Sequence, residues 1–118
     1  MKNTVAEKSE DFAVRILNLY RYLCSEYREY DVFRQLLRSG TSIGANIAES
    51  ECAISKSDFL AKRYISLKEC SETLFWLRVL KRTDYLTEKQ FNSIYMDCLE
   101  LKRMLSAATK TLKEHVED

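Results

Sequence analysis

The near absence of residues that break helices limits the fold of this chain more than any other feature of its sequence. The 118 residues include two glycines and no proline, whereas average usage gives about eight glycines and about six prolines for this length. Sandwiches and barrels need turn residues roughly every 8–12 positions. Nucleotide-binding folds need glycine-rich phosphate loops, and neither G-x-G-x-x-G nor G-x-x-x-x-G-K-[ST] occurs here. The sequence therefore predicts long α-helices.

The totals fit a single folded domain covering residues 1–118. Apolar residues make up 46% of the chain and charged residues 31%, and 19 Lys and Arg oppose 18 Asp and Glu for a net charge of +1. This balance argues against strong non-specific attraction to nucleic acid or membranes, although a local basic patch remains compatible with it. The polar N-terminus and the lack of a long apolar run predict a cytoplasmic protein with no membrane partner.

Apolar residues recur with a helical period in four segments, at about residues 9–28, 32–50, 58–81 and 88–114. The links between them are short, which predicts an all-α, antiparallel, up-down-up-down four-helix bundle. The fourth segment has the most regular pattern, because its apolar residues alternate spacings of three and four across three heptads. These residues are Phe91, Ile94, Cys98, Leu101, Leu105, Ala108 and Leu112.

Polar residues before three of these segments have the character of helix caps. Asp31 is predicted to cap the second helix. Ser55 and Ser57 are candidate caps for the third helix, and Thr87 with Gln90 forms a T-x-x-Q capping box before the fourth.

The two glycines, Gly40 and Gly44, lie one helical turn apart in the second segment. A glycine inside a helix costs about 0.5–1 kcal/mol relative to alanine, so we expect a compensating close approach of a neighbouring backbone. A turn at Gly40 is an alternative. The stretch also matches G-x-S-x-G, but a nucleophile elbow needs a preceding strand and a later histidine, and the single histidine is His115. Because the flanking segments are helical, we interpret this stretch as a site of close helix packing rather than as the nucleophile elbow of a hydrolase.

Carboxylates and amides form two further groups at helical spacing. Ser42, Asn46 and Glu49 share one face of the second helix, and Glu69 and Glu72 lie one turn apart on the third. Bundles that hold two metal ions use Glu-x-x-His pairs, which this chain lacks. We expect these side chains to fix the register of the helices through hydrogen bonds. Plain solvent exposure and a metal site are the alternatives, and we expect no cofactor.

The cysteines offer little support for metal or redox chemistry. Their spacing contains no C-x-x-C pair, and they are expected to pack as small apolar side chains. They are Cys24, Cys52, Cys70 and Cys98.

Cations gather at one end of the expected bundle, where the first and third helices end and the second and fourth begin. We call this the basic end. Its candidate phosphate contacts are Arg34, Arg38, Arg78, Lys81, Arg82 and Lys89. The alternative is that these cations complement the helix dipoles and are simply solvated.

Aromatic residues near the end of the third helix raise the possibility of an interface. Apolar residues occupy almost every side of that helix end, so it is expected to be deeply buried or to contact another chain. Phe75 and Trp76 beside Tyr85 could form an interface belt or pack within one chain.

The central part of the chain resembles the four-helix-bundle family of 23S ribosomal RNA intervening-sequence proteins. The resemblance covers about residues 11–112, and its most specific part is the stretch from Ser42 to Glu49. Ser50 stands where the family often has glycine. Further matching positions are Leu37-Arg38, Ser57-Asp58-Phe59, Ile65, Glu69, Glu72-Thr73, Trp76-Leu77, Tyr85-Leu86 and Arg103-Met104-Leu105.

The resemblance implies a bundle that assembles as a ring-like homopentamer and carries no catalytic residue. Relatives that serve as accessory proteins of diversity-generating retroelements bind nucleic acid and a reverse transcriptase, and they are strongly basic, unlike this chain. We therefore expect a non-enzymatic scaffold or interaction protein that docks RNA or a ribonucleoprotein, with no small-molecule substrate. The alternative is a nucleic-acid-binding accessory protein that acts directly through the basic end.

Overall fold

Four helices account for almost all of the backbone in the computed structural model, which describes residues 4–117, with side chains for residues 4–111. They are α1 (Val5–Glu26), α2 (Tyr30–Ser50), α3 (Lys56–Arg82) and α4 (Glu88–Glu117). The molecule measures 50 × 27 × 22 Å along its principal axes. Within residues 4–117 there is no strand, so the predicted all-α class is confirmed.

The first helix begins at Val5, four residues before the predicted start at residue 9. Thr4 adopts an extended conformation, and its hydroxyl oxygen accepts a hydrogen bond from the backbone N–H of Glu7 at 3.1 Å. A capping threonine in this position satisfies one of the otherwise unpaired donors of the first turn.

The predicted cap of α2 is wrong. The residue before the helix is Glu29, which makes no side-chain capping bond, and Asp31 lies inside the first turn. There Asp31 pairs with Arg34, with 2.6 Å between carboxylate and guanidinium. An acidic residue in the first turn still favours the helix through its dipole.

The caps predicted for the other two helices are present. Ser55 accepts a hydrogen bond from the N–H of Asp58 at 3.0 Å at the start of α3, while Ser57 lies within the helix. Before α4, the Thr87 N–H donates to Gln90 Oε1 at 2.8 Å and the Gln90 N–H donates to Thr87 Oγ1 at 3.2 Å. This reciprocal pair confirms the capping box.

Contacts between α1 and α2 run in opposite order along the two helices. Gly44 lies against Ser9, and Gly40 lies against Ile16 further along α1. Rising numbers on α1 thus meet falling numbers on α2, which makes the pair antiparallel.

The same order holds between α2 and α3. The Ser66 hydroxyl donates to the Ile43 carbonyl at 2.7 Å, and the Thr73 hydroxyl donates to Ser39 Oγ at 3.0 Å. The bundle therefore has a lower level at Ser9, Gly44 and Ser66 and an upper level at Ile16, Gly40 and Thr73, the latter nearer the basic end.

The fourth helix closes the bundle against α3 and α1. Cys98 on α4 lies against Cys70 on α3, and its thiol approaches the Cys70 carbonyl at 3.6 Å. Lys8 pairs with Glu100 at 2.7 Å, and Arg15 pairs with Asp97. Along α1 and α4 these partners again run in opposite directions.

The core follows the predicted apolar rows. The apolar residues of the heptad pattern on α4 form what we call the α4 seam. Of these, Ile94, Cys98, Leu101 and Leu105 are buried, whereas the side chain of Leu112 lies outside the described residues. The expectation for the cysteines holds for the buried Cys70 and Cys98. Cys52 is exposed because it lies in the link after α2.

Candidate functional site

The two glycines lie where α2 packs against α1. A Cβ atom at Gly40 would lie 2.8 Å from Ile16 Cγ1, and one at Gly44 would lie 3.2 Å from the backbone oxygen of Ser9. Neither glycine has a positive φ. The G-x-S-x-G stretch is thus continuous helix, without the strand-to-helix turn that a nucleophile elbow requires. His115, the only histidine, lies outside the described side chains.

A partly exposed polar network, about halfway along the bundle, links α2 to α3. Arg38 bonds to Glu69 at 3.1 Å and also to Glu72. The indole N–H of Trp76 donates to Glu72 Oε2 at 3.0 Å. The predicted phosphate contact Arg38 therefore faces two carboxylates of its own chain, while its neighbour Arg34 is paired with Asp31.

The charges in this network shift one another's pKa values. Burial alone would raise the pKa of Glu72, but the bonds from Trp76 and Arg38 outweigh it, and the pKa is lowered. The hydrogen bond to Glu72, with the charge of Glu69, raises the pKa of Arg38. Both groups stay ionised at neutral pH, and their opposite charges form a partly exposed ion pair between α2 and α3.

The polar face of α2 makes weaker connections. Asn46 donates to the Ser42 carbonyl of its own helix at 2.9 Å. Glu49 lies 3.5 Å from Lys62 on α3, with 63% of its side chain exposed. No group of three or more potential metal ligands occurs in the part of the chain that the structure describes.

At the basic end, the predicted cations differ in their surroundings. Arg78 donates to the Tyr95 hydroxyl at 3.0 Å, and the Tyr95 ring stacks on Phe91 with 4.7 Å between centroids. The other three candidates, Lys81, Arg82 and Lys89, form no ion pair with any residue in the described range. The sequence placed Arg78 among the cations but carried no signal for its aromatic neighbours on α4.

The predicted aromatic belt divides into two clusters. Tyr85 packs edge-on against Tyr27 and Phe33, at 4.9 and 5.4 Å between centroids. Phe75 and Trp76 contact each other at 5.0 Å, and Phe75 keeps 47% of its surface exposed. Phe75 therefore points outward, and Tyr85 helps close the basic end of the core.

These features define an antiparallel four-helix bundle in which two glycines allow α1 and α2 to pack closely. Arg38 is bonded to carboxylates of α3, and further cations lie at the basic end. The model of the 23S rRNA-intervening sequence protein family matches residues 1–107. The chain belongs to this family.

A solved structure has the same fold at high similarity. It is the 1.70 Å crystal structure of a protein with unknown function from the S23 ribosomal protein family of Bacteroides thetaiotaomicron. The two chains are 50% identical with a TM-score of 0.89, and the match covers 91% of this chain and 99% of the other. A comparison with curated proteins finds no match. Within the described residues, no helix is both long and apolar enough to cross a membrane.

Proposed function

We propose that this protein is a non-enzymatic scaffold that docks an RNA or ribonucleoprotein partner at its basic end. The charged side chains halfway along the bundle pair with one another between helices, as Arg38 does with Glu69 and Glu72. Such bonds stabilise one arrangement of the helices, and we propose that these charged side chains serve packing rather than catalysis.

The observation that carries the proposal is the clustering of cations at the end of α3 and the start of α4, which meet at the basic end. There, Lys81, Arg82 and Lys89 have no ion-pair partner among the residues that the structure describes. Unpaired cations on a rigid surface are available for phosphate oxygens, and lysine and arginine are the usual phosphate contacts of nucleic-acid-binding proteins.

Sedimentation with two probes tests the proposal. Intact large ribosomal subunits and naked 23S ribosomal RNA are each mixed with the protein at about 50 mM salt. A scaffold that docks a ribonucleoprotein binds the particle more tightly than the naked RNA. Binding to neither probe would contradict the proposal.

A matched pair of variants assigns the binding surface. Lys81→Glu with Arg82→Glu changes two charges at the basic end and should weaken binding at least tenfold. Lys56→Glu with Lys110→Glu makes the same change in charge at the opposite end and should leave binding intact. Equal loss in both variants would place the contact elsewhere.

The scaffold is proposed to act as a homo-oligomer, with a pentamer as the expected state from the family resemblance. Repetition of a weak basic end around a ring would multiply its contacts with one long partner. Linked binding sites can exceed the affinity of a single site by about 10²–10⁴, which offsets the small net charge of one protomer.

A second function, direct nucleic-acid binding by an accessory protein, is favoured by the contact of Arg78 with the stacked rings of Tyr95 and Phe91. Proteins that bind single strands commonly combine cations with aromatic rings on which bases stack. Tight binding of a naked single-stranded RNA, weakened by Tyr95→Ala, would favour this function. With four phosphate contacts, the slope of log K against log salt would be about −3.

A further inference from the structure

Two outward faces of the bundle carry apolar surface that no residue in the described range covers. The first, called the α1/α2 face, lies over the glycine contact. It holds an open groove of about 430 Å³ whose lining includes Ala13, Ala45 and Ala48. The face continues along α1 to Leu17, which is 37% exposed.

The groove is rimmed by negative charge. Glu7, Glu10 and Glu51 contribute to its lining, and among the described residues no lysine or arginine does. A partner for this groove should therefore combine apolar side chains with at least one cation.

The second surface, called the α3 face, has that composition. Ile65 is 41% exposed and Phe75 is 47% exposed, and the exposed Lys68 lies between them at helical spacing. The acidic residues between Lys68 and Phe75 are Glu69 and Glu72, and both are already bonded to Arg38.

The two faces also match in height along the bundle axis. Helices α1 and α3 run in the same direction, and both advance by seven residues between the lower and upper levels, from Ser9 to Ile16 and from Ser66 to Thr73. By this register, Lys68 stands one residue higher than Glu10, a difference of about 1.5 Å along the bundle axis.

The apolar residues follow the same register. Phe75 stands two residues beyond the upper level on α3, and Leu17 stands one residue beyond it on α1. Ile65 stands close to the height of the groove at Gly44. Copies that stand side by side with parallel axes would thus bring apolar residues against apolar residues and Lys68 against Glu10.

We propose that the α1/α2 face of one protomer binds the α3 face of a second copy of this chain. Pairing two identical faces is disfavoured, because it would bring the groove carboxylates together or Lys68 against Lys68, and like charges across an interface are repulsive. A contact between two different faces repeats from copy to copy and closes into a ring when the rotation permits. The inference rests on the proposed homo-oligomer and names its interface.

Single substitutions on each face test the interface without touching the core. Leu17→Asp and Phe75→Asp each place a charge on an exposed apolar position and should reduce the solution mass to that of the 13.9 kDa protomer. Met96→Asp is the matched control, because Met96 is 55% exposed on α4, outside both faces. Its mass should equal that of the wild type, and circular dichroism should show folded helices in all three variants.

A mixture of the two interface variants distinguishes this contact from a symmetric one. The Leu17→Asp copy retains an intact α3 face, and the Phe75→Asp copy retains an intact α1/α2 face. An equimolar mixture should therefore form a one-to-one dimer that cannot grow further. A mixture that stays monomeric at concentrations where the wild type is fully assembled would overturn the proposal.

A charge exchange tests the predicted register. Glu10→Lys and Lys68→Glu should each raise the concentration needed for assembly about tenfold or more, and the double variant should restore assembly. If the wild type assembles and these variants form assemblies of the same mass, the interface lies elsewhere while the proposed scaffold stands. A monomeric wild type would instead contradict the homo-oligomer itself.

Discussion

Replacing Gly40 by alanine tests whether the glycine contact between α1 and α2 governs packing. An added Cβ would lie 2.8 and 2.9 Å from the two γ carbons of Ile16, which is fully buried. Overpacking of a tight core costs about 1–3 kcal/mol, whereas alanine gains about 0.5–1 kcal/mol in helix propensity over glycine. We expect a net loss of about 1–2 kcal/mol in the free energy of unfolding.

Urea denaturation followed by circular dichroism measures this loss at one fixed protomer concentration, because assembly would also contribute to stability. Unfolding entropy of about 2.1 cal/mol/K per residue converts a loss of 1–2 kcal/mol into a fall in Tm of about 4–8 °C. Ala107→Gly, at an exposed position of α4, calibrates helix propensity and should cost about 1 kcal/mol.

The Ile16→Ala background supplies the sharper measurement, because it removes the atoms that an added Cβ would meet. That background alone should cost about 2–5 kcal/mol. In it, Gly40→Ala should change sign and stabilise the protein by about 0.5–1 kcal/mol, since only helix propensity remains. Stabilisation by Gly40→Ala in the wild-type background would refute the close-packing explanation.

Three further predictions concern the central network, the helix caps and the thiols. The pKa of Glu72 is lowered in the folded state, so its contribution to stability is present above the unfolded value of about 4.3 and is lost as the pH falls through the folded value. Between about pH 5 and pH 3 the urea midpoint of Arg38→Gln should therefore fall less steeply than that of the wild type. Equal slopes for the two proteins would contradict the bond between Arg38 and Glu72. The fluorescence of Trp76, the single tryptophan, should follow the titration of Glu72. Thr87→Ala removes half of the capping box and should cost about 1 kcal/mol in urea denaturation, whereas the exposed Thr111→Ala on the same helix should change stability by less than about 0.5 kcal/mol; equal costs would argue against the cap. In the native protein a thiol reagent should modify the exposed Cys52 first and leave Cys98 intact. The reason is that the hydrogen bond with Cys70 and burial raise the pKa of the Cys98 thiol. Labelling of Cys98 at the rate of Cys52, measured by mass spectrometry, would show that this part of the core opens.

The helices and the register of the core could be predicted from the sequence because both depend on local patterns. Apolar spacing located the α4 seam, and the T-x-x-Q pattern located the Thr87–Gln90 box. The cap of α2 could not be located in this way, because an acidic residue such as Asp31 suits the first turn of a helix as well as the cap position.

The partners of individual charges were harder to predict, because they depend on contacts between helices distant in sequence. The sequence placed Arg38 with the other cations, but Glu69 and Glu72 reach it from α3. Likewise, only the packing of α4 on α3 brings Tyr95 to Arg78. Spacing along one helix predicts which side chains share a face, but not which residue of another helix they meet.

Native mass spectrometry of the wild-type protein tests the proposed scaffold most directly, because the scaffold is a multi-copy assembly of a 13.9 kDa protomer. We expect one dominant assembly of several copies, with a mass of about 70 kDa, five times 13.9 kDa, for the expected pentamer. A protein that remains at 13.9 kDa across the whole range of concentrations would contradict it.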